Sequence, residues 1–153
     1  MRKWIAMMAA VLMVMAAGTA MAATTTVDVS ATVQGTCAFA GTGTLAFGVL
    51  PTDGSGASVS TSIDFTCSNG TPYTITDDDG VNELVANGNR MQSTSLGSPE
   101  YIPYTMTYTP TNGTGSGPGT PITLTIDGVV ANGAYSTNSP DVYQDTVTLT
   151  ILP

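Results

Sequence analysis

The side chains that could carry out catalysis are few in this chain of 153 residues. It contains no histidine, three lysine and arginine residues, eleven aspartate and glutamate residues, and two cysteines. Two of the cations, Arg2 and Lys3, stand at the N-terminus, so Arg90 is the only one beyond it. A nucleophilic Ser or Cys needs a neighbouring base such as His or Lys, and a glycosidase carboxylate pair is defined by a separation that sequence does not give. We therefore predict no catalytic residue, no cofactor and no enzymatic activity.

The densest group of carboxylates is Asp77-Asp78-Asp79, followed by Gly80. Clustered carboxylates suit calcium, but the EF-hand loop places its oxygen ligands on alternate residues and ends in a distant Glu. This spacing does not match that pattern. We predict an exposed turn with no metal ligand assigned, and weak calcium binding stays open as an alternative.

The N-terminal residues have the pattern of a secretory signal. The two N-terminal cations precede an apolar run over residues 4–17, which is too short to cross a bilayer comfortably. Ala20-Met21-Ala22 then supplies the small-x-small pattern of a cleavage site. We predict a signal peptide over residues 1–22, export, and no membrane span once this leader is removed. An uncleaved membrane anchor is the alternative, but it would need a stop-transfer cluster of charges.

Export also bears on the two cysteines. Cys37 and Cys67 are an isolated even pair in a chain expected to reach an oxidising compartment. A metal site or a catalytic thiol would need His or further Cys beside them. We predict a structural Cys37–Cys67 disulfide.

The charge balance excludes two classes of partner. Beyond the leader, Arg90 stands alone against all eleven Asp and Glu residues. No basic patch can be built from one cation, and such a patch is the usual footprint of nucleic-acid or anionic-lipid binding. We expect neither partner.

The elements that carry these residues have the alternation typical of strands with one buried face. The longer alternating segments are residues 24–33, 59–67, 121–127 and 142–152, and the shorter ones are 37–39, 45–47, 73–76 and 101–109. Turn-forming Asn-Gly and Asp-Gly pairs separate many of them, as at Asn69-Gly70, Asn87-Gly88 and Asn112-Gly113. Outside the leader we find no helical periodicity, and the length suits one domain. The sequence predicts a single all-β sandwich or barrel.

Tyrosines offer a possible sugar-binding surface, because exposed aromatic rings stack on sugars. They are grouped at Tyr101, Tyr104 and Tyr108, while the sole tryptophan, Trp4, lies in the leader. Tyr is also a common strand residue whose ring packs while its hydroxyl stays hydrated. We predict that most of these rings belong to the core.

Several short segments occur together in a fixed order along the mature chain. They are Gly35-Thr36-Cys37, Leu45-Ala46-Phe47-Gly48, Ile63-Asp64-Phe65-Thr66-Cys67, Asn69-Gly70-Thr71-Pro72-Tyr73-Thr74-Ile75, Arg90-Met91, Ile102-Pro103-Tyr104, Leu124-Thr125-Ile126-Asp127-Gly128 and Tyr143-Gln144-Asp145-Thr146-Val147. Together they resemble the spore coat protein U domain, which is shared by subunits of archaic chaperone–usher pili. One departure is Pro140-Asp141-Val142, where the family usually has a glycine.

The resemblance implies an immunoglobulin-like β-sandwich that lacks its final strand. In that family a periplasmic chaperone fills the open groove first, and at the outer-membrane usher the next subunit's N-terminal strand replaces it. It implies a donor-strand extension over residues 23–34, a pilin domain over 35–153, and Arg90 and Met91 in a loop. The partners would be identical or related pilus subunits, the chaperone and the usher. The protein would pass through the periplasm to a cell-surface fibre.

The predicted site residues follow from this reading. The donor side chains are Val27, Val29, Ala31 and Val33, which share one face of an extended strand. The acceptor groove is predicted to be lined by the first strand after Cys37 and by Val147, Leu149 and Ile151. The alternative is a monomeric secreted module of adhesin type, in which the N-terminal strand pairs with its own sandwich.

Overall fold

The computed structural model describes residues 21–83 and 88–153. The signal peptide predicted over residues 1–22 therefore lies outside the described residues except for its last two, and so does Asn87 of the predicted Asn87-Gly88 turn. The boundaries at residues 22 and 34 stay predictions. In the part of the chain that is described, no helix is long and apolar enough to cross a membrane.

The described residues form ten strands and no helix. The strands are β1 (Cys37–Phe39), β2 (Ala57–Cys67), β3 (Pro72–Asp77), β4 (Arg90–Ser93), β5 (Tyr101–Pro103), β6 (Thr105–Thr109), β7 (Asn112–Thr114), β8 (Ile122–Val130), β9 (Tyr143–Gln144) and β10 (Leu149–Leu152). The predicted all-β class is confirmed.

The strands form three antiparallel sheets, in the orders β1-β2-β8-β6, β10-β3-β7 and β5-β4-β9. The longest pairing joins β2 to β8, from Ala57 opposite Val130 to Phe65 opposite Ile122. Both strands alternate buried and exposed residues along their length, as expected where one face of a sheet covers a core.

Two of the sheets pack face to face as a sandwich. Their main core holds Phe65 and Leu124, both fully buried, against Tyr73 and Ile75 of β3. The Phe65 and Tyr73 rings meet edge to face with centroids 5.0 Å apart, a favourable aromatic geometry. A second cluster, around Ile102, Tyr104 and Val130, joins the third sheet to the end of β8. All six tyrosines are buried or half-buried.

The predicted disulfide is present and fixes the start of the domain. Cys37 and Cys67 are bonded and lie directly opposite one another in the β1–β2 pairing. The Ser68 hydroxyl donates to the Gln34 carbonyl at 3.1 Å and accepts the Thr36 N–H at 3.3 Å. The segment that precedes β1 is therefore anchored where it meets the sandwich.

Some predicted strands differ from those observed, for identifiable reasons. Residues 24–33 and 45–47 belong to no strand, because a strand is defined by pairing and these segments have no partner in the described structure. The predicted strand over 101–109 is divided at Tyr104, because β5 pairs with β4 of the third sheet whereas β6 pairs with β8 of the first. The Tyr104 N–H donates to the Asn89 carbonyl, next to β4, at 3.0 Å. The predicted strand over 142–152 is also divided, into β9 and β10.

Two observed strands were predicted as loops or turns. Arg90 and Met91 lie in β4, a short strand between β5 and β9, and not in a loop. Asn112-Gly113 lies in β7, at the edge of its sheet, and not in a turn. Gly113 fits there because a Cβ on it would come within 2.8 Å of the Tyr73 ring carbon Cζ.

Candidate functional site

A groove of about 870 Å³ lies between two segments, residues 41–47 on one side and residues 143–149 on the other. Residues 41–47 are in no strand, and residues 145–148 lie between β9 and β10 and are in no strand either. We call the two segments the 41–47 wall and the 143–149 wall. The floor between them is formed by side chains of the sandwich core: Phe39, Ile63, Tyr104, Met106 and Ile126. The groove therefore opens directly onto apolar core residues, which a solvated surface normally covers.

Along one edge of the 143–149 wall, main-chain groups are hydrogen-bonded to neighbouring residues. The Thr146 carbonyl accepts the Val81 N–H at 3.0 Å, and the Thr148 N–H donates to Oδ1 of Asp78 at 2.8 Å. Alternate residues of extended backbone direct their amide groups to the same side. The amide groups of Asp145 and Val147 therefore point to the opposite side, towards the groove.

The groove edge of this wall is unpaired. Within residues 21–83 and 88–153 the structure shows no hydrogen bond to the main-chain N–H or C=O of Asp145 or Val147. Unpaired main-chain groups on a strand edge are a template for another strand. The wall can therefore accept a strand along its length.

Among the described residues, the 41–47 wall also has no strand paired to it. Leu45 and Phe47 are half-buried and alternate with exposed neighbours, as in a strand, but the segment is in no sheet of the described structure. A Cβ on Gly128 would come within about 3.1 Å of both Leu45 and Phe47, so these side chains lie directly over β8. A Cβ on Gly43 would lie 2.9 Å from Cδ1 of Ile63, so this part of the wall also lies close to the floor.

The two walls run in opposite directions. Leu45 and Leu149 both pack against the main core, together with Phe39. Phe47 packs instead with Tyr143 and Val147 in the second cluster. Rising residue number on one wall therefore accompanies falling residue number on the other, and a strand inserted between them is parallel to one wall and antiparallel to the other.

One end of the groove is polar. The Tyr104 hydroxyl donates to Oδ2 of Asp145 at 2.8 Å, and the N–H and Nδ2 of Asn82 donate to Oδ1 of Asp145 at 3.3 and 3.1 Å. Burial, and then the hydrogen bond to Asp145, raise the pKa of Tyr104 well above its ordinary value, so its hydroxyl remains a donor. Gly80 has φ +92, and a Cβ there would collide with the Asp145 carboxylate.

Asn82, which donates to Asp145, is itself bound by Arg90, the only Lys or Arg in the sequence after Lys3. The Arg90 Nε donates to the Asn82 carbonyl at 2.5 Å, and the guanidinium lies 3.8 Å from the centroid of the Tyr101 ring. Stacking of this kind favours Arg over Lys. Arg90 thus supports the 143–149 wall through Asn82.

Two carboxylates also hold the turn that precedes this wall. Glu100 accepts from Ser139 and from the Tyr143 hydroxyl, and its pKa is lowered, chiefly by the Ser139 backbone N–H. Asp141 accepts from the hydroxyl and the N–H of Ser95, which lower its pKa to about 2. Both carboxylates therefore stay ionised at neutral pH and hold the turn before β9.

The Asp77–Asp79 run lies beside the same wall. Asp77 accepts from the Tyr108 hydroxyl at 3.0 Å, and Oδ1 of Asp78 accepts from the Gly80 N–H as well as from Thr148. In residues 21–83 and 88–153 no group of three or more His, Cys, Asp or Glu side chains is placed to hold a metal ion. Of these carboxylates, Asp78 acts as a hydrogen-bond acceptor for the wall, through the Thr148 N–H.

The predicted site residues fall into three groups. Val147 and Leu149 line the groove. Ile151 does not; it pairs with Ile75 and packs against the main core. The predicted donor residues Val27, Val29 and Val33 are 81–90% exposed, and Ala31 is also exposed.

Phe39 belongs to the predicted strand over 37–39 and lines the groove, whereas sequence reasoning missed Gly43, Tyr104 and Asp145 as groove residues. The alternation of Leu45-Ala46-Phe47 was a usable signal for one wall. Asp145 gave a second signal, because it is a carboxylate on the inward-facing side of an otherwise apolar alternation.

A search with family models matches residues 23–150 to the model described as Spore Coat Protein U domain. A search of curated protein sequences returned no match. Among solved structures, one similar chain belongs to the CsuC-CsuE chaperone–tip adhesion subunit pre-assembly complex from archaic chaperone–usher Csu pili of Acinetobacter baumannii. It has a TM-score of 0.53 and 22% identity, over 78% of this chain and 40% of that chain.

A second similar chain comes from a chaperone–tip adhesin complex of CFA/I fimbriae biogenesis, with a TM-score of 0.44 and 15% identity over 71% of this chain and 38% of that one. The present chain thus spans about two-fifths of the length of each of these structures. The likeness to the Csu complex supports the immunoglobulin-like sandwich predicted from the sequence.

Proposed function

Because the chain belongs to the Spore Coat Protein U domain family, we propose that it is a structural subunit of an extracellular pilus or coat that polymerises by donor-strand exchange. In this reading the groove between the two walls accepts the N-terminal segment of a second copy. The inserted strand completes the sheet through its main chain and the core through its side chains. The subunit carries out no catalysis of its own.

The observation that carries the proposal is a groove with unpaired main-chain edges on both walls and an apolar floor. Each wall contributes seven residues, and the predicted donor side chains span seven residues from Val27 to Val33. At about 3.3 Å per residue, each segment is roughly 20 Å long. The donor segment therefore matches the groove in length as well as in apolar character.

Burial supplies the driving force. The donor valines are 81–90% exposed in the isolated chain. Covering three Val and one Ala contributes on the order of 5–7 kcal/mol from buried apolar area, and ordering the segment offsets part of it. Main-chain pairing on both edges adds to this value, so we expect slow dissociation.

The remaining partners follow from the open groove. A subunit with this groove is an aggregation hazard until a strand covers it. We propose that a periplasmic chaperone supplies the first strand and that an outer-membrane usher catalyses its replacement by the next subunit. The protein then passes from the periplasm to the cell surface. The presence of a chaperone in the Csu complex supports the first of these partners.

The monomeric adhesin-type reading requires the N-terminal strand to pair within its own sandwich. Residues 21–36 belong to no strand of the described structure, and their side chains are exposed. A ladder of oligomers on an unheated gel distinguishes strand exchange from the monomeric module.

The proposal predicts a ladder of oligomers. Mature protein isolated from the cell surface should run on an unheated detergent gel as regularly spaced bands, and boiling should collapse the bands to one monomer. A chain that lacks residues 23–34 should run as monomer without heating, since it has no strand to donate. A single monomer band from the unheated full-length mature protein would contradict strand exchange.

A further inference from the structure

The groove is not uniform along its length, and its polar end faces a particular position of the incoming strand. On the 143–149 wall the inward side chains are Tyr143, Asp145, Val147 and Leu149. Asp145 is the only carboxylate among them, and the Tyr104 hydroxyl bonded to it faces the same part of the groove. A donor side chain opposite Asp145 therefore meets a polar surface.

The inward-facing side chains of the donor strand also differ in size. Its inward positions are three valines and one alanine, and Ala31 is the third of the four. When seven donor residues are matched to the seven residues of the 143–149 wall, only two alignments are in full register. The antiparallel one places Ala31 opposite Asp145, and the parallel one places Val29 there.

The 41–47 wall distinguishes the same two alignments. Because the walls run in opposite directions, a strand antiparallel to the 143–149 wall is parallel to the 41–47 wall. Ala31 then lies between Asp145 and Leu45, and Val29 lies between Val147 and Gly43. The smallest donor side chain then meets the section lined by Asp145 and Leu45, and a larger one meets the section where the 41–47 wall has only glycine.

From this juxtaposition we propose that the Asp145–Tyr104 pair is the specificity-determining element of the groove, which selects a strand with a small residue at the position of Ala31 and thereby sets its direction and register. The inference rests on the proposed function and adds to it. A slip of one residue is already excluded, because it would turn every valine out of the groove. A slip of two residues keeps the same face inward, and a device of this kind is needed to exclude it. The pair is built for this role, because the three hydrogen bonds to the Asp145 carboxylate hold it in place.

The test uses synthetic peptides of residues 23–34. The acceptor is the full mature chain with Val29→Asp, which prevents donation to itself, refolded in the presence of each peptide. We first compare peptides that carry Lys or Met at position 31, and then the same pair at position 29. Each is measured against acceptors that contain Asp145 or Asp145→Asn.

At position 31, replacing Asp145 by Asn should weaken the Lys peptide at least about tenfold relative to the Met peptide, because an opposed charge pair is lost. At position 29 the ratio of the Lys and Met affinities should not depend on Asp145. A dependence at position 29, or at neither position, would overturn the proposal.

A second comparison needs no change at Asp145 and covers the case in which Asp145→Asn does not fold. Ala31→Leu in the peptide should weaken binding at least about tenfold through overpacking, whereas Val29→Leu should change it by about threefold or less. The reverse order would overturn the inference. Failure of the unsubstituted peptide to bind would instead contradict the proposed function, so the two failures are distinguishable.

Discussion

Replacing Val29 by Asp should abolish fibre assembly while leaving the chain able to accept a strand. Val29 is 90% exposed in the isolated subunit, so the substitution removes no packing from the fold. In the assembled fibre the same position would lie over apolar groove residues. A carboxylate there costs several kcal/mol, and about 3 kcal/mol corresponds to roughly a hundredfold loss of affinity.

The measurement is the yield of oligomers on an unheated gel and of fibres by electron microscopy. The matched control is Asp28→Asn, one residue away on the opposite face of the strand, which should assemble like the wild type. The Val29→Asp chain should still bind the peptide of residues 23–34. Normal fibres from Val29→Asp would show that residues 27–33 are not the donor strand.

Filling the groove should have the opposite effect, a subunit that donates but does not accept. Gly43 lies in the 41–47 wall, and a Cβ on it would already lie 2.9 Å from Ile63. The side chain of Gly43→Leu has no room beneath the wall and must displace Ile63 or occupy the groove. Overpacking of this kind costs about 1–3 kcal/mol, and we expect at least a tenfold loss of peptide binding.

The two variants should complement each other when they are mixed. Val29→Asp chains accept and Gly43→Leu chains donate, so each alone should stay monomeric and an equimolar mixture should give dimers without longer oligomers. Gly119→Leu is the control, since a Cβ there meets nothing within 4 Å and the residue is not part of the groove lining. It should polymerise normally. Long oligomers from Gly43→Leu alone would show that the accepting site is elsewhere.

The parts of the fold that could be predicted are those in which periodicity and pairing agree. In β2 and β8 apolar residues alternate over the whole strand, and both strands are paired throughout. The disulfide could be predicted as well, because two cysteines in a chain that is expected to be exported allow one pairing. The pattern of residue types predicts the two strands, and an oxidising compartment predicts the disulfide.

The groove walls could not be identified in the same way. Leu45-Ala46-Phe47 and the residues around Val147 have the alternation of strands, yet the isolated chain leaves them unpaired. Alternation reports which side of a segment is buried, but it does not report whether a neighbour is present. The missing neighbour is a property of the topology, and the sequence indicated it only through the family resemblance.

The polar end of the groove could not be predicted from the sequence either. Tyr104 and Asp145 are 41 residues apart in sequence, and their hydrogen bond depends on how the third sheet packs against the end of β8. Ile151 shows that strand parity alone does not identify a groove residue. It has the same parity as Val147 and Leu149, but it packs into the core and is not part of the groove lining.

Amide hydrogen exchange can show residue by residue whether a strand inserts between the two walls. The acceptor is the Val29→Asp chain, compared with and without the peptide of residues 23–34. The Asp145 and Val147 amides face the groove and should become strongly protected when the peptide binds. The Thr148 amide, which already donates to Asp78, should change little. If the peptide binds but the Asp145 and Val147 amides exchange as fast as before, or the protection appears at another sheet edge such as β7, the strand does not lie in this groove and the account is wrong.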